Sequence, residues 1–325
     1  MAELPTGYSL RSPAARDAGP VADVVQAHDI ADFGEPDFTE HDLLDDWNRP
    51  RFALESDAWV LTGPTGKIIG YAYVWEAQTD REIEADAFVL PEYAGRGLGS
   101  QLLDLIETRG AEIAGGRSMT LGVFASTVNE DKRNLLEQRG FQPSRSVLRM
   151  RINLDAEPVD VVGPPAGVVI RPFVSEDEDA LRAVWIDAFA SHGRFSPRRM
   201  EEWFQSRFAH PAFDPSLWQV AVIQSTDGPT GGSVGARVGD VVGAVLVFDV
   251  GETGYTSTVA IRADARGQRI GPALLHAAFG ALRDRGQMRV LVSLDADVEA
   301  SLLALYEAAG MRVHERHDLF AKTLV

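Results

Sequence analysis

The strongest constraint on this chain is a stretch that occurs twice. Val89-Leu90-Pro91-Glu92-Tyr93-Ala94-Gly95-Arg96-Gly97-Leu98-Gly99-Ser100-Gln101-Leu102-Leu103 runs from an apolar strand end through a glycine-rich turn into an amphipathic helix. Residues 260 to 275 repeat the plan in worn form, with Arg266, Gly267, Gln268, Arg269, Ile270 and Gly271 in the turn. A strand, a turn of little side-chain bulk and a fresh helix N-terminus leave several backbone N–H groups unpaired, which suits a phosphate or pyrophosphate. The spacing behind the loops also repeats: 41 positions separate Gly99 from Gly140, and 39 separate Gly271 from Gly310. Loop, helix, strand, helix and glycine stop keep step, so the chain is an internal duplication.

At 325 residues it has room for two cores of ordinary size. Residues 155 to 166, with Pro158, Pro164 and Pro165, break every periodicity and are expected to link a first domain at 1–154 to a second at 167–325. In each half the order is strand, helices, antiparallel strand pair, strand, loop, helix, strand, helix, strand. That order predicts an α/β fold in which a twisted mixed sheet is flanked by crossover helices. The long glycine-rich connector after Val222 separates the second strand pair, and Gly167 to Arg171 echoes Gly7 to Arg11.

Composition narrows the function. The chain has no cysteine, which removes disulfides, thiolate metal sites and cysteine nucleophiles together. A net charge of −17 opposes general attraction to nucleic acid and to anionic membranes, so no nucleic-acid and no membrane partner is expected. An anionic ligand must be held locally, and Arg96, Arg266 and Arg269 stand where that is needed. No apolar run approaches a bilayer span and the first residues lack the regions of a signal peptide, so a cytoplasmic protein is expected, as monomer or homodimer. His314 and His317 would face opposite sides of a strand and do not suit a shared metal ion, so no metal is expected.

Two common phosphate loops fail on context. A dinucleotide-binding fingerprint opens a parallel unit at its first strand, whereas this loop follows an antiparallel meander. A Walker loop needs a Gly-Lys-Ser/Thr ending that neither turn contains.

Pro91 to Gly99, the apolar helix behind it and the later Arg139-Gly140-Phe141 resemble the GNAT acetyltransferase superfamily, as do Leu305-Tyr306-Glu307-Ala308-Ala309-Gly310-Met311 in the second half. The resemblance spans nearly the whole chain as a tandem pair and implies two GNAT-like domains. It implies acetyl-CoA, or another short acyl-CoA, in a cleft where the signature strand splays from its neighbour. Phe88, Val89, Leu90, Gly95, Arg96, Gly97, Leu98, Gly99 and Ser100 would supply the bulged strand and loop in the first half. Val259, Ala260, Ile261, Arg266, Gly267, Gln268, Arg269, Ile270 and Gly271 would do so in the second. Each half departs from the pattern. Ala94 stands in the place of Arg or Gln, and Arg269 replaces the middle glycine, where a side chain would either obstruct or clamp a pyrophosphate.

The implied reaction is acetyl transfer to a small-molecule amine. An alkylamine is mostly charged at neutral pH, so a carboxylate or a water it holds is wanted as base, and a hydroxyl is wanted to protonate the departing thiolate. Tyr306 sits where the resemblance places that acid, against the alternative of a core aromatic; Leu136 takes the place in the first half. Base candidates are Glu84 and Asp86, which share one face of the first signature strand with Glu82, and in the second half Tyr255, with Glu252 and Asp249 near it. Asn129 opens a helix as an N-cap and by resemblance would touch the cofactor. Helical regions at 29–50 and 190–210 are expected to wall the acceptor pocket. The alternative function is a catalytically degenerate acyl-CoA-binding or sensing protein.

Overall fold

A computed structural model describes residues 4–324 apart from 37, 50, 77–80, 156–161, 190–196, 225–238, 252 and 297–299. Glu252, half of the expected linker, most of the glycine-rich connector and the first part of the 190–210 wall therefore lie outside the described residues. The chain forms two compact units, one of residues 1–148 with 295–297 and 315–325, the other of 149–294 with 298–314.

In the first unit β1 (Ser9–Arg11), α1 (Ala18–Phe33), α2 (Glu40–Trp47), the short α3 (Leu54–Asp57), β2 (Ala58–Thr62), β3 (Ile68–Glu76) and β4 (Glu82–Val89) precede the glycine loop. Then come α4 (Leu98–Ala114), β5 (Met119–Ser126), α5 (Glu130–Gln138) and β6 (Gln142–Asn153). β1 to β4 pair antiparallel in sequence order, and β4 turns parallel to β5. The helices have local causes. Thr39 and Asp42 exchange side chain-to-backbone bonds in a capping box at α2, and α1 stops at Gly34, whose φ of +88° suits only a residue without a Cβ.

The second unit repeats the order as β7 (Val168–Pro172), α6 (Glu178–Phe189), α7 (Pro197–Phe208), β8 (Gln219–Ile223), β9 (Val241–Val250), β10 (Thr253–Ile261), α8 (Ile270–Asp284), β11 (Arg289–Asp295), α9 (Ala300–Ala308) and β12 (Arg312–Leu324). Duplication reaches single contacts. Arg11 grips Asp17 at 2.6 Å after β1 and Arg171 grips Asp177 at 2.6 Å after β7, while each aspartate also accepts from the backbone N–H three residues before it.

The last strands depart from a simple division at the linker. β12 lies antiparallel on β5, from His317 opposite Ser126 to Leu324 opposite Met119, and buries Phe320 in the first core. β6 sends Met150 and Ile152 into the second core, and beyond its end Leu154 donates from its backbone to Met288 before β11. β12 from His317 on thus joins the strands of the first unit, and the end of β6 belongs to the second, each coming from the other half of the sequence. The second unit packs two apolar layers: one gathers α8 and α9, and the other gathers α6, Trp203 and Phe204 of α7, and Trp218.

Candidate functional site

Both glycine loops have one backbone path. Gly95 and Gly97 take φ of +72° and +76°, Gly267 and Arg269 take +74° and +62°, and helices begin at Leu98 and Ile270. Arg269 therefore holds the left-handed conformation that glycine holds in the first loop, and the turn survives its loss of a glycine. Gln101 makes the first backbone bond of α4, back to Gly97, which leaves the N–H groups of Leu98, Gly99 and Ser100 outside the helix ladder. In α8 the third such position is Pro272, which has no N–H.

The glycines inside these helices serve packing. A Cβ on Gly99 would lie 3.3 Å from Leu135 Cδ2, and one on Gly271 would lie 2.6 Å from Leu305 Cδ1 and 3.0 Å from Ile261 Cδ1. Each keeps the next helix, α5 or α9, close against the loop. The arginines differ. Arg96 donates to Tyr8 Oη and the Glu92 carbonyl and lies over the Tyr93 ring, and Arg266 donates to the carbonyls of Ile261 and Ala188, so both brace the loop. Arg269 is exposed and has no ion pair or side-chain hydrogen bond among the described residues.

Both signature strands part from their parallel neighbours. β4 pairs with β5 only through Glu82–Ala85, and β10 pairs with β11 at Gly254 and Tyr255 alone. The strands differ in one respect. β10 shifts register against β9 between Thr256 and Thr258, leaving Ser257 as the extra residue of a bulge, whereas β4 pairs with β3 without a shift from Ile83 to Val89. The bulge expected in both halves is present in the second alone. In the first, the His28 ring fills the space beside Val89, with Nε2 2.7 Å from its carbonyl oxygen and 3.1 Å from its nitrogen. Burial holds His28 below the ordinary imidazole range, and its neutral ring serves one of those two partners at a time.

Tyr306 lies at the end of α9, 2% exposed, against the core beneath α8. Burial alone raises its phenol above the usual value, so it stays protonated at neutral pH. Leu136 holds the matching place in α5 and is fully buried. Both helices close alike, with Phe141 N–H donating to Leu136 O and Met311 N–H to Tyr306 O around Gly140 and Gly310. Thr256, at the parting of β10 and β11, is buried and its Oγ1 has no hydrogen-bond partner among the described residues. Arg207 of α7 reaches the bulge, donating to Ser257 Oγ at 3.2 Å, with its guanidinium 4.9 Å from the Trp203 ring centre and 5.9 Å from that of Phe248. Tyr255 pairs across the strands with Phe248 and so shares its face.

The base candidates fare unequally. Asp86 is ion-paired to Lys132, whose ammonium also lies over the Phe88 ring. Glu84 stands on the same face, opposite Trp75, where burial raises its carboxyl. Its neighbour Asp46, which sequence reasoning passed over within an acidic helix, is pushed up by burial to about 6 despite an ion pair with Arg49. Asp249 accepts from the Gln287 side chain. Asn129 is an N-cap: its oxygen accepts from Lys132 N–H and its nitrogen donates to Asp32. Arg207 was missed as well; the one available signal was a basic residue four positions after Trp203 on an amphipathic helix. No group of three or more metal-ligating side chains occurs among the described residues, and no described helix is long and apolar enough to cross a membrane.

Splayed strands, glycine loops and duplicated helix pairs together define a tandem acyltransferase scaffold. Residues 23–141 and 198–311 both match the acetyltransferase (GNAT) family, and the chain belongs to that family as a tandem N-acetyltransferase. It is 30% identical to a mycothiol acetyltransferase of Cellulomonas flavigena over 81% of this chain and 74% of that one. It is 32% identical to a mycothiol acetyltransferase of Clavibacter michiganensis over 78% and 76% of the two chains. A GCN5-related N-acetyltransferase from Sphaerobacter thermophilus superposes with a TM-score of 0.81 at 29% identity, covering 99% of this chain and 97% of that one. A tandem GNAT protein from the clavulanic acid biosynthesis pathway has the same fold, at a TM-score of 0.67 and 17% identity over 97% and 98%.

Proposed function

We propose that this chain transfers an acetyl group from acetyl-CoA to the amine of a small molecule, and that the second unit carries the chemistry. The observation that supports this is the coincidence, in that unit alone, of the bulge at Ser257 with a buried hydroxyl at Tyr306. Acetyl-CoA, when bound, supplies a thioester whose carbonyl carbon the amine attacks and whose thiol leaves. The residues fit such a ligand. Among the described residues Arg269 is an exposed cation without a partner beside a helix N-terminus, and Thr256 Oγ1 is an orphaned polar atom at the strand splay.

Tyr306 holds a proton at Oη and is placed as the acid for the leaving thiolate. The backbone of β10 around its bulge, outside the ladder with β11, polarises the acyl oxygen. Positioning of the amine falls to α7 and to Tyr255 and Phe248 of the facing strands. The first unit has the better glycine loop, Leu136 in place of the tyrosine, and His28 against Val89; it binds acyl-CoA without turning it over. Because the chain has no cysteine, thiol release reads CoA directly. With the best acceptor from an amine library, Tyr306→Phe should lower kcat by about 100-fold or more while acetyl-CoA still binds. An unchanged rate removes Tyr306 from the reaction.

A further inference from the structure

Arg207 differs from Arg96, Arg266 and Arg269, the loop arginines that also lack a carboxylate partner among the described residues, in being half-buried where they are exposed. With 48 acidic residues against 31 basic ones, carboxylates are plentiful. Arg11, Arg109, Arg139, Arg171, Arg182 and Arg262 each pair with at least one of them. Arg207 pairs with none among the described residues. Its guanidinium is half-buried among Trp203, Phe248 and the edge of β10, and its side-chain partners are serine hydroxyls: Ser257 Oγ at 3.2 Å and Ser206 Oγ at a marginal 3.4 Å.

Aromatic stacking and the last turn of α7 account for where the charge sits, but two of its five N–H donors stay unused and two of the other three reach Ser206 only at 3.4 Å. Withdrawal from water disfavours its charge. A half-buried guanidinium without a carboxylate is costly for folding alone and becomes favourable when an anion completes it, since its planar fork suits two carboxylate oxygens. Its position selects the anion. Ser257 is the bulge residue, and Ala260 and Ile261 intervene before the loop that would take the pyrophosphate, so Arg207 stands at the reacting end of the strand and not at the phosphate end.

We propose that Arg207 is a specificity residue that receives a carboxylate of a reactant at the bulge of β10, carried by the amine acceptor or by a dicarboxylic acyl group. This rests on the second unit being the site of acyl transfer. The acceptor class it favours is an amine that also bears a carboxylate, as in amino acids and peptides with a free C-terminus.

Succinate serves as a probe that needs no turnover. Titrated at constant ionic strength, it should change the tryptophan fluorescence saturably through Trp203, with affinity at least tenfold weaker in Arg207→Gln and partly kept in Arg207→Lys, which also controls for folding. No saturable change, or equal affinity in Arg207→Gln, overturns the proposal. Turnover then identifies the carrier. Thiol release from acetyl-CoA with L-amino acids is compared with release by their carboxamides, and succinyl-CoA is compared with acetyl-CoA on a neutral amine. A carboxylate preference of tenfold or more in KM in either arm, collapsing in Arg207→Gln, supports the proposal and names the source. Turnover without preference in both arms overturns it. If no amine releases CoA, the transfer reading fails by itself, and the succinate titration still decides for or against the anion site.

Discussion

At the scale of single residues, two side chains occupy positions that cost stability. Arg269 holds φ of +62° at the N-cap of α8, one of two non-glycine residues with positive φ among those described. An L-residue there costs about 1 kcal/mol relative to glycine, so Arg269→Gly should raise the stability of the second unit by about that amount in urea denaturation. A loss of stability would mean that the side chain contributes more than its backbone strain. Asp46 is the second case. Burial lifts its carboxyl to about 6 from an ordinary value near 3.8, against the pull of Arg49 and with Asp42, Asp45 and Glu84 adding to the lift. The folded state therefore binds the proton more tightly than the unfolded chain, and stability falls as pH rises through that window. The full penalty is present above about pH 6 and is absent below about pH 4. Asp46→Asn should melt at a higher temperature than the parent above pH 6, with the difference closing as pH falls to 4. A gap that widens toward acid would reverse the assignment.

At the scale of elements, the glycine loops and their helices were legible because their causes are local. Gly95, Gly97 and Gly267 mark left-handed turns, and Leu98, Leu102 and Ile106 mark a buried helix face. The strand exchange was not legible. Alternation in Val147 to Ile152 and in β12 tells which residues face a core, but not which of two similar sheets supplies the neighbour. The exact position of the expected bulge, its absence from β4 and the surroundings of Arg207 were hidden for a related reason, since all depend on register and on residues distant in sequence. The exchange has a measurable consequence through Phe320, which is fully buried in the first core and has the Arg133 guanidinium over its ring. Phe320→Ala should cost about 3–5 kcal/mol. In native-state hydrogen exchange the loss of protection should fall on β2 to β5, within residues 58–126, although the substitution lies far along the chain at residue 320. Loss concentrated in β9 to β11 would assign the last strand to the other sheet.

For the molecule as a whole, duplication raises the question of how many acyl-CoA molecules one chain holds, and the two loops approach one ligand differently. The first offers three helix N–H groups and an arginine already committed to Tyr8 and Glu92. The second, shortened by Pro272, offers fewer backbone donors but adds Arg269, a cation unpaired among the described residues, on a chain of net charge −17. Backbone donors are fixed dipoles, whereas an exposed guanidinium acts as a full charge that salt screens over a Debye length of about 8 Å at physiological ionic strength. Calorimetry with acetyl-CoA should therefore give two sites per chain, and raising the salt should weaken one more than the other. Arg269→Glu should weaken the salt-sensitive site by at least tenfold and leave the other unchanged, and turnover should follow the weakened site. Turnover that survives while that site is lost would move the chemistry to the first unit. A single site indifferent to Arg269→Glu would leave the second loop as a packing device, held in shape by Gly271 against Leu305, with no ligand of its own.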